Sequence, residues 1–274
     1  MTFYIDQVKI QREINFDAVK IEVFESIDST NQYLKTIDNS QYEYHVCIAE
    51  HQSGGKGRLQ RNWYSPYAKN IYLSITHSFK KKQSELSGLS MVMALSVLKT
   101  LLTLDVPQKF KVKWSNDVYF EDHKISGILI ETIEKNDGKC KAVIGIGLNV
   151  NMTELPQNIL NNWTSLKKIT SKDFDRNKIC ILLINNLMKN INEFETRGFR
   201  HFIPEWNKYD YLVGKNISIK SGRNTIQGSY KGIDETGHLL LETEMGKKAK
   251  KVITVSSGDA SIMKTCLIPI IKNK

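Results

Sequence analysis

Ala49–Pro66 reads AEHQSGGKGRLQRNWYSP and sets three glycines and the cations Lys56, Arg58 and Arg61 just ahead of Trp63. Gly54, Gly55 and Gly57 are expected to take positive φ and let the backbone approach a ligand closely. The apolar run Val46–Ala49 enters the segment, and Asn70–Ile75 (NIYLSI) leaves it with the alternation of a strand. A cationic glycine loop slung between two strands suits a polyanion, most simply a phosphate. It is not a P-loop, because Gly57 stands after Lys56 where that motif needs Ser or Thr. Nor is it a dinucleotide fingerprint, since no helical pattern opens at the glycines. A basic surface hairpin fits the same cations. Trp63 is what favours a site, because a mobile loop ending in an indole can close over a ligand and exclude water.

The chain of 274 residues has room for one large domain and a small one. At 41% hydrophobic and 25% charged it falls in the soluble globular range, and no apolar run is read as approaching membrane-span length. The opening MTFYIDQVKIQREI lacks the apolar core of a signal peptide. Cys47, Cys140, Cys180 and Cys266 are widely spaced and form no metal pattern. Reduced thiols in a cytoplasmic protein are the expectation. The net charge of +10 points to an anionic partner, whether nucleic acid, nucleotide or acidic protein. The lysine runs lack the interleaved aromatics of a single-strand binding groove.

Taken in order, residues 1 to about 20 are expected to give a strand and a turn. VKIEVF, Val19–Phe24, alternates as a strand and runs into ESIDSTN, where Asp28 or Ser29 would cap a helix starting near Thr30. Capping alone explains these hydroxyls, although a helix N-terminus also offers N–H donors to a polar ligand. Leu86–Leu104 carries apolar residues on one helical face. Phe110–Trp114 reads as a strand before the polar corner Ser115–Asn116–Asp117. A hairpin then turns at Glu121–His123 and puts Lys124 at the start of its second strand. AVIGIGLNV, Ala142–Val150, is a buried strand whose Gly145 and Gly147 leave one face open. Asp175–Phe194 is an amphipathic helix, and a short helix follows near Phe199–Tyr209. After a boundary near residue 212, four short strands with tight turns predict a small β-barrel.

ESIDSTN, AEHQSGGKGRLQRNWYSP, VKWSNDVYFEDHKISGILIE and VIGIGLNVN, in this order and spacing, resemble the biotin protein ligases. YKGIDETGHLLLE is similar to that family's terminal barrel, so the resemblance runs from about Val19 to Met263. It implies an α+β fold, with a catalytic domain at 1–211 built on a mixed sheet flanked by helices. An SH3-like barrel would occupy 212–274. It also implies a reaction in two steps. Biotin and Mg·ATP give biotinoyl-5′-adenylate and pyrophosphate, and the adenylate acylates one lysine of a biotin carboxyl carrier protein.

By motif position, the resemblance gives Ser29, Thr30 and Gln52 to the biotin ureido ring, with Asn31 and Gly55 in the same pocket and Gly127 in its floor. Arg58 would contact the carboxylate and then the adenylate phosphate, while Lys56 and Arg61 neutralise phosphates. Lys124 would reach the reacting carboxyl, Trp63 would cover the adenylate, and Asn116 and Asn149 would meet the adenine edge. Asp117 would position the incoming amine or a magnesium ion. Two departures stand out. Lys56 replaces the usual Arg and gives up bidentate geometry, and Ser115 replaces the usual Pro and removes a φ restraint. Lipoate protein ligase is the nearest rival, but its RR-x-SGGG run is missing here. Only about twenty residues precede the catalytic part, so no specific DNA binding is expected. The resemblance leaves room for a homodimer.

Overall fold

Alternation in VKIEVF produces β1 (Val19–Phe24), which lies parallel to β2 (Tyr44–Ala49), a strand buried at every position. The computed structural model describes residues 4–37, 41–135, 138–156, 162–222, 224–245 and 249–263. Cys266 lies outside them. The chain divides into two compact units, Met1–Tyr211 and Leu212–Lys274.

In the first unit, β3 (Ile71–Phe79), β4 (Phe110–Lys113), β5 (Asp117–Phe120), β6 (His123–Glu134) and β7 (Cys140–Leu148) complete a seven-stranded sheet in the order β1-β2-β3-β7-β6-β5-β4. All of its pairings except β1 with β2 are antiparallel, so the sheet is mixed. The β3–β7–β6 centre is what matters for the site. There Tyr72, Gly147, Gly127 and Asp117 lie side by side across four strands.

Helices cover this sheet. α1 (Gln7–Glu13) stands where a strand and turn are expected. Asp6 caps it by accepting from the Lys9 N–H at 3.0 Å, and fully buried Ile10 anchors it. A short polar segment with a single inward residue carries too little periodicity to show this. α2 (Thr30–Thr36) is capped by Ser29, and α4 (Leu166–Thr170) by Ser165. The expected helix over Leu86–Leu104 is divided into a 3-10 turn, Gln83–Leu86, and α3 (Leu89–Leu102). Gly88 separates them at φ 82°, and a Cβ there would stand 2.4 Å from the Phe199 ring. α5 (Arg176–Arg197) starts on the Asp175 cap, and α6 (Ile203–Tyr209) follows a 3-10 turn.

Contrary to the reading of the apolar runs, Gln83–Leu102 is long and apolar enough to cross a membrane, with a mean hydropathy of 1.4. It is nevertheless 67% buried inside the protein, where α3 packs on α5 and the sheet. Core packing explains its composition. Cys47, Cys140 and Cys180 are buried free thiols.

In the second unit, β8 (Asn216–Ser221), β9 (Asn224–Ile233), β10 (Leu239–Met245), β11 (Ala249–Val255) and β12 (Asp259–Ile262) form one antiparallel sheet in the order β11-β10-β9-β8-β12. Among the described residues it does not close, and β11 and β12 are its edges. The fifth strand, DASI, is too short and too polar to show as a periodic run.

Candidate active site

The glycine loop folds as a hairpin. Trp63 N–H donates to Gly55 O at 2.9 Å, Lys56 faces Asn62, and Gly57 N–H donates to Arg61 O at 2.7 Å. A 3-10 turn at Arg58–Gln60 makes its tip. None of Gly54, Gly55 and Gly57 has positive φ. Leu59 and Gln60 take that conformation instead, at φ 55° and 60°. The expectation about the glycines is corrected in its reason, because two of them serve close packing. A Cβ on Gly54 would lie 2.0 Å from Asp28 Oδ1, and one on Gly55 would lie 2.7 Å from Trp63 O.

The hairpin lays the Trp63 indole on the sheet. A Cβ on Gly147 would sit 2.3 Å from Trp63 Cε2, and one on Gly127 would sit 3.0 Å from Trp63 Cζ3. Two strands therefore give up their side chains to admit one ring. A Cβ on Gly145 would sit 2.3 Å from Asn31 Oδ1. The face that Gly145 and Gly147 leave open thus receives Asn31 and Trp63. The Trp63 indole N–H is buried and finds no hydrogen-bond partner among the described residues.

Lys124 approaches from β6. Its Nζ is 2.6 Å from Asp117 Oδ1 and 5.5 Å from the centre of the Trp63 ring. Its backbone is gripped on both sides, by Asn162 O at 3.0 Å and by the Thr164 N–H at 2.9 Å. Arg58 reaches from the hairpin tip to the corner between β4 and β5. There its NH1 donates to Ser115 Oγ and Asn116 Oδ1, each at 2.8 Å. Lys56 and Arg61 are exposed on the hairpin.

A polar cluster forms at the start of α2. Thr30 donates through its N–H and its hydroxyl to Gln52 Oε1 at 3.0 and 3.1 Å, and Gln52 Nε2 donates to Ser65 Oγ at 3.2 Å. Ser74 Oγ lies 2.7 Å from Thr30 Oγ1 and 2.6 Å from Asn31 Oδ1. Asn31 Nδ2 donates to Glu131 Oε2 at 2.9 Å, and Lys35 Nζ to Glu131 Oε1 at 2.8 Å. Burial alone would raise the Glu131 carboxyl, but hydrogen bonds from Lys35 and Asn31, with Lys56 also nearby, hold it below its ordinary value. Ser29 does cap α2, its Oγ accepting from the Gln32 N–H at 3.4 Å.

The structure therefore brings Ser29, Thr30, Asn31, Gln52 and Gly55 into one cluster, and Trp63, Lys124, Asp117 and Gly127 into another. Asn116 and Asn149 make hydrogen bonds of their own outside these two clusters. Asn116 Nδ2 donates to Ile128 O at 2.8 Å while its Oδ1 receives Arg58. Asn149 is buried, and its Nδ2 donates to Thr164 O at 3.0 Å. Both amides build walls. Ser74, Ser65 and Glu131 are additions that motif reading misses. A serine inside the apolar strand NIYLSI was the available signal for Ser74, since a fully buried hydroxyl must find a partner.

A mixed sheet with a cationic hairpin folded over a glycine floor is an arrangement suited to an anionic ligand, and the comparisons with known proteins give its class: a ligase. The Biotin/lipoate A/B protein ligase family profile matches residues 23–151, and the Biotin protein ligase C terminal domain profile matches 212–263. The Escherichia coli (strain K12) protein "Bifunctional ligase/repressor BirA" is 34% identical over 229 residues, which cover 83% of this chain and 71% of that one. The "Biotin--[acetyl-CoA-carboxylase] ligase" of Mycobacterium tuberculosis is 27% identical over 88% of each chain. Among solved structures, the Aquifex aeolicus biotin protein ligase in complex with biotin and ATP superposes with a TM-score of 0.76 at 31% identity. That match spans 91% of this chain and all of the other. The chain belongs to the biotin/lipoate A/B protein ligase family, on its biotin protein ligase branch.

Proposed function

We propose that this protein joins biotin to a lysine of a biotin carboxyl carrier protein in two steps, through biotinoyl-5′-adenylate. The observation that carries the reading is the arrangement in which the Trp63 indole lies on Gly127 and Gly147, with the Lys124 ammonium over the ring and Arg58 at the corner beside Ser115 and Asn116. Biotin carboxylate and ATP are both anionic, so bringing them together requires fixed cations. The mixed anhydride they form is open to water, so the site requires a cover.

Thr30, Asn31 and Gln52, with Ser29 at the helix cap and Gly55 behind them, are the groups we assign to the ureido ring. Lys124 Nζ is placed to stabilise charge on the carboxyl as it attacks the α-phosphorus and pyrophosphate leaves. Arg58 holds the adenylate phosphate, and Lys56 and Arg61 meet the departing phosphates. In the second step a carrier lysine amine attacks the carbonyl and AMP departs with the anhydride oxygen. Asp117 is the carboxylate nearest to Lys124 for receiving the amine proton. Asn116 and Asn149 act through the walls they build. Among the described residues no group of three or more His, Cys, Asp or Glu is arranged for a metal. Magnesium would enter as Mg·ATP, a form that needs only one or two protein carboxylates besides the phosphates.

Of the bifunctional relative's name we carry over the ligase half alone, because the matched segments are the catalytic and C-terminal ones. We place the protein in the cytoplasm, where ATP is available and free thiols persist. Incubation with Mg·ATP and either biotin or lipoate, followed by mass spectrometry, tests the reading. Biotinoyl-adenylate, followed by labelling of an added carrier domain, is the expected result. Lipoyl-adenylate alone would assign the protein to the lipoate side of the family.

A further inference from the structure

We infer that Ser115 is a positioning residue for Arg58, its hydroxyl seating the guanidinium at the corner between β4 and β5 before an anion arrives. The inference rests on the reading of Arg58 as the phosphate contact. Arg58 stands at the tip of a hairpin with exposed neighbours, and an arginine there has several rotamers to lose on binding. Its NH1 is instead held at 2.8 Å by both Ser115 Oγ and Asn116 Oδ1.

The seat is itself fixed. Ser115 O accepts from the Ser90 hydroxyl of α3 at 3.0 Å, and Asn116 Nδ2 donates to Ile128 O of β6 at 2.8 Å. Both acceptors are neutral. They orient the guanidinium without themselves offsetting its charge, which a carboxylate in the same place would do. Of the two acceptors, Ser115 Oγ can be removed alone, because Asn116 also holds β6 through its Nδ2. A preorganised cation contributes more to holding an anion than one that must first be ordered.

The experiment measures release of biotinoyl-adenylate from preformed complexes of wild type, Ser115→Ala, Ser115→Thr, Arg58→Ala and the Ser115→Ala/Arg58→Ala pair. Unfolding midpoints are recorded alongside. Ser115→Ala is expected to release about three- to tenfold faster than wild type at an unchanged midpoint, as befits one hydrogen bond. Ser115→Thr, which keeps the hydroxyl, restores retention. In the Arg58→Ala background Ser115→Ala adds nothing, an outcome that a general packing role would not give.

Arg58→Ala releasing faster while Ser115→Ala matches wild type overturns the positioning role and leaves the phosphate reading intact. Arg58→Ala releasing no faster than wild type removes the phosphate reading itself, and the positioning role with it. If Ser115→Ala does not fold, the comparison of Ser115→Pro with Ser115→Thr decides the matter. Equal release from those two also overturns the role.

Discussion

Lys124 Nζ stands 2.6 Å from Asp117 Oδ1; the two residues reach each other from antiparallel strands, with the ammonium over the Trp63 ring. The ion pair fixes where the ammonium waits. Its side chain is 30% exposed and so still open to a ligand. An ammonium held this way meets developing anionic charge without first being ordered.

Lys124→Ala should therefore lose about 3 kcal/mol of transition-state stabilisation, roughly a hundredfold in the rate of adenylate formation. Binding of biotin should change much less, because the cluster around Thr30 and Gln52 is untouched. Single-turnover adenylate formation and calorimetric biotin binding separate the two effects. A near-wild-type adenylation rate in the folded variant would take Lys124 out of the reaction.

Gly147→Ala and Gly57→Ala should behave oppositely, although both remove a glycine from the site. A methyl at 147 would come within 2.3 to 2.6 Å of three indole atoms, so Trp63 must lift and the Gly55–Trp63 hydrogen bond must loosen. A methyl at 57 meets nothing nearer than Arg61 O at 3.6 Å, and the φ of −110° there suits alanine. Amide exchange across residues 55–63 should speed up in the first variant and stay as it is in the second. Adenylate yield should fall at least about tenfold in the first alone. Equal behaviour of the two would mean that the indole does not depend on the glycine floor.

How much of this could be read in the sequence depends on how local each cause is. β1 follows from alternation, β2 and β7 from short apolar runs, and the cap of α2 from the Asp28–Ser29 pair, of which Ser29 serves; all of these act within a few residues. The glycine floor was half visible. Gly145 and Gly147 announced an open face, but not that Asn31 and Trp63 fill it from segments distant in sequence. The conformation of Leu59 and Gln60 was hidden because nothing about those residue types demands a left-handed backbone. That the Asn116 carbonyl oxygen meets Arg58 and its NH2 the Ile128 carbonyl could not be read from the sequence, because both partners are distant along the chain. Polar residues show that a partner is required, and only the fold shows which.

Stability should fall through His45 as the pH drops below about 6.5. This residue is 3% exposed on β2, beside Glu22 of β1. Burial lowers the His45 pKa and outweighs the Glu22 carboxylate, which pulls it up. The folded chain thus takes up the proton later than the unfolded chain, whose histidine titrates near 6.5. The stabilisation is complete above that pH and is lost as the pH falls towards the depressed folded value. Burial alone would raise Glu22, but hydrogen bonds from His45, Lys20 and Tyr33 hold it below 4.5, so its own contribution is lost only in stronger acid. Unfolding midpoints of wild type and His45→Gln from pH 8 to 5 read this out. The variant should show the shallower slope, and parallel curves would exclude His45 as the source.

The last expectation concerns Glu50, two residues before Gln52, and its partner in the core. Arg176 is fully buried, and its NH1 lies 2.5 Å from Glu50 Oε2 and 3.1 Å from Asn70 O. Glu50 Oε1 accepts from the Ile5 N–H at 2.7 Å, so this one carboxylate ties the N-terminal segment to α5. Arg176→Met leaves a buried carboxylate without its cation and should cost about 3–5 kcal/mol. Glu50→Gln keeps the acceptor for Ile5 but strands the guanidinium, at a cost of the same order. The double variant has no charge left to strand, so its loss should be well short of the sum of the two. Urea unfolding of the four proteins closes the cycle. Additive losses would mean that the two charges do not sense each other, despite the 2.5 Å between them.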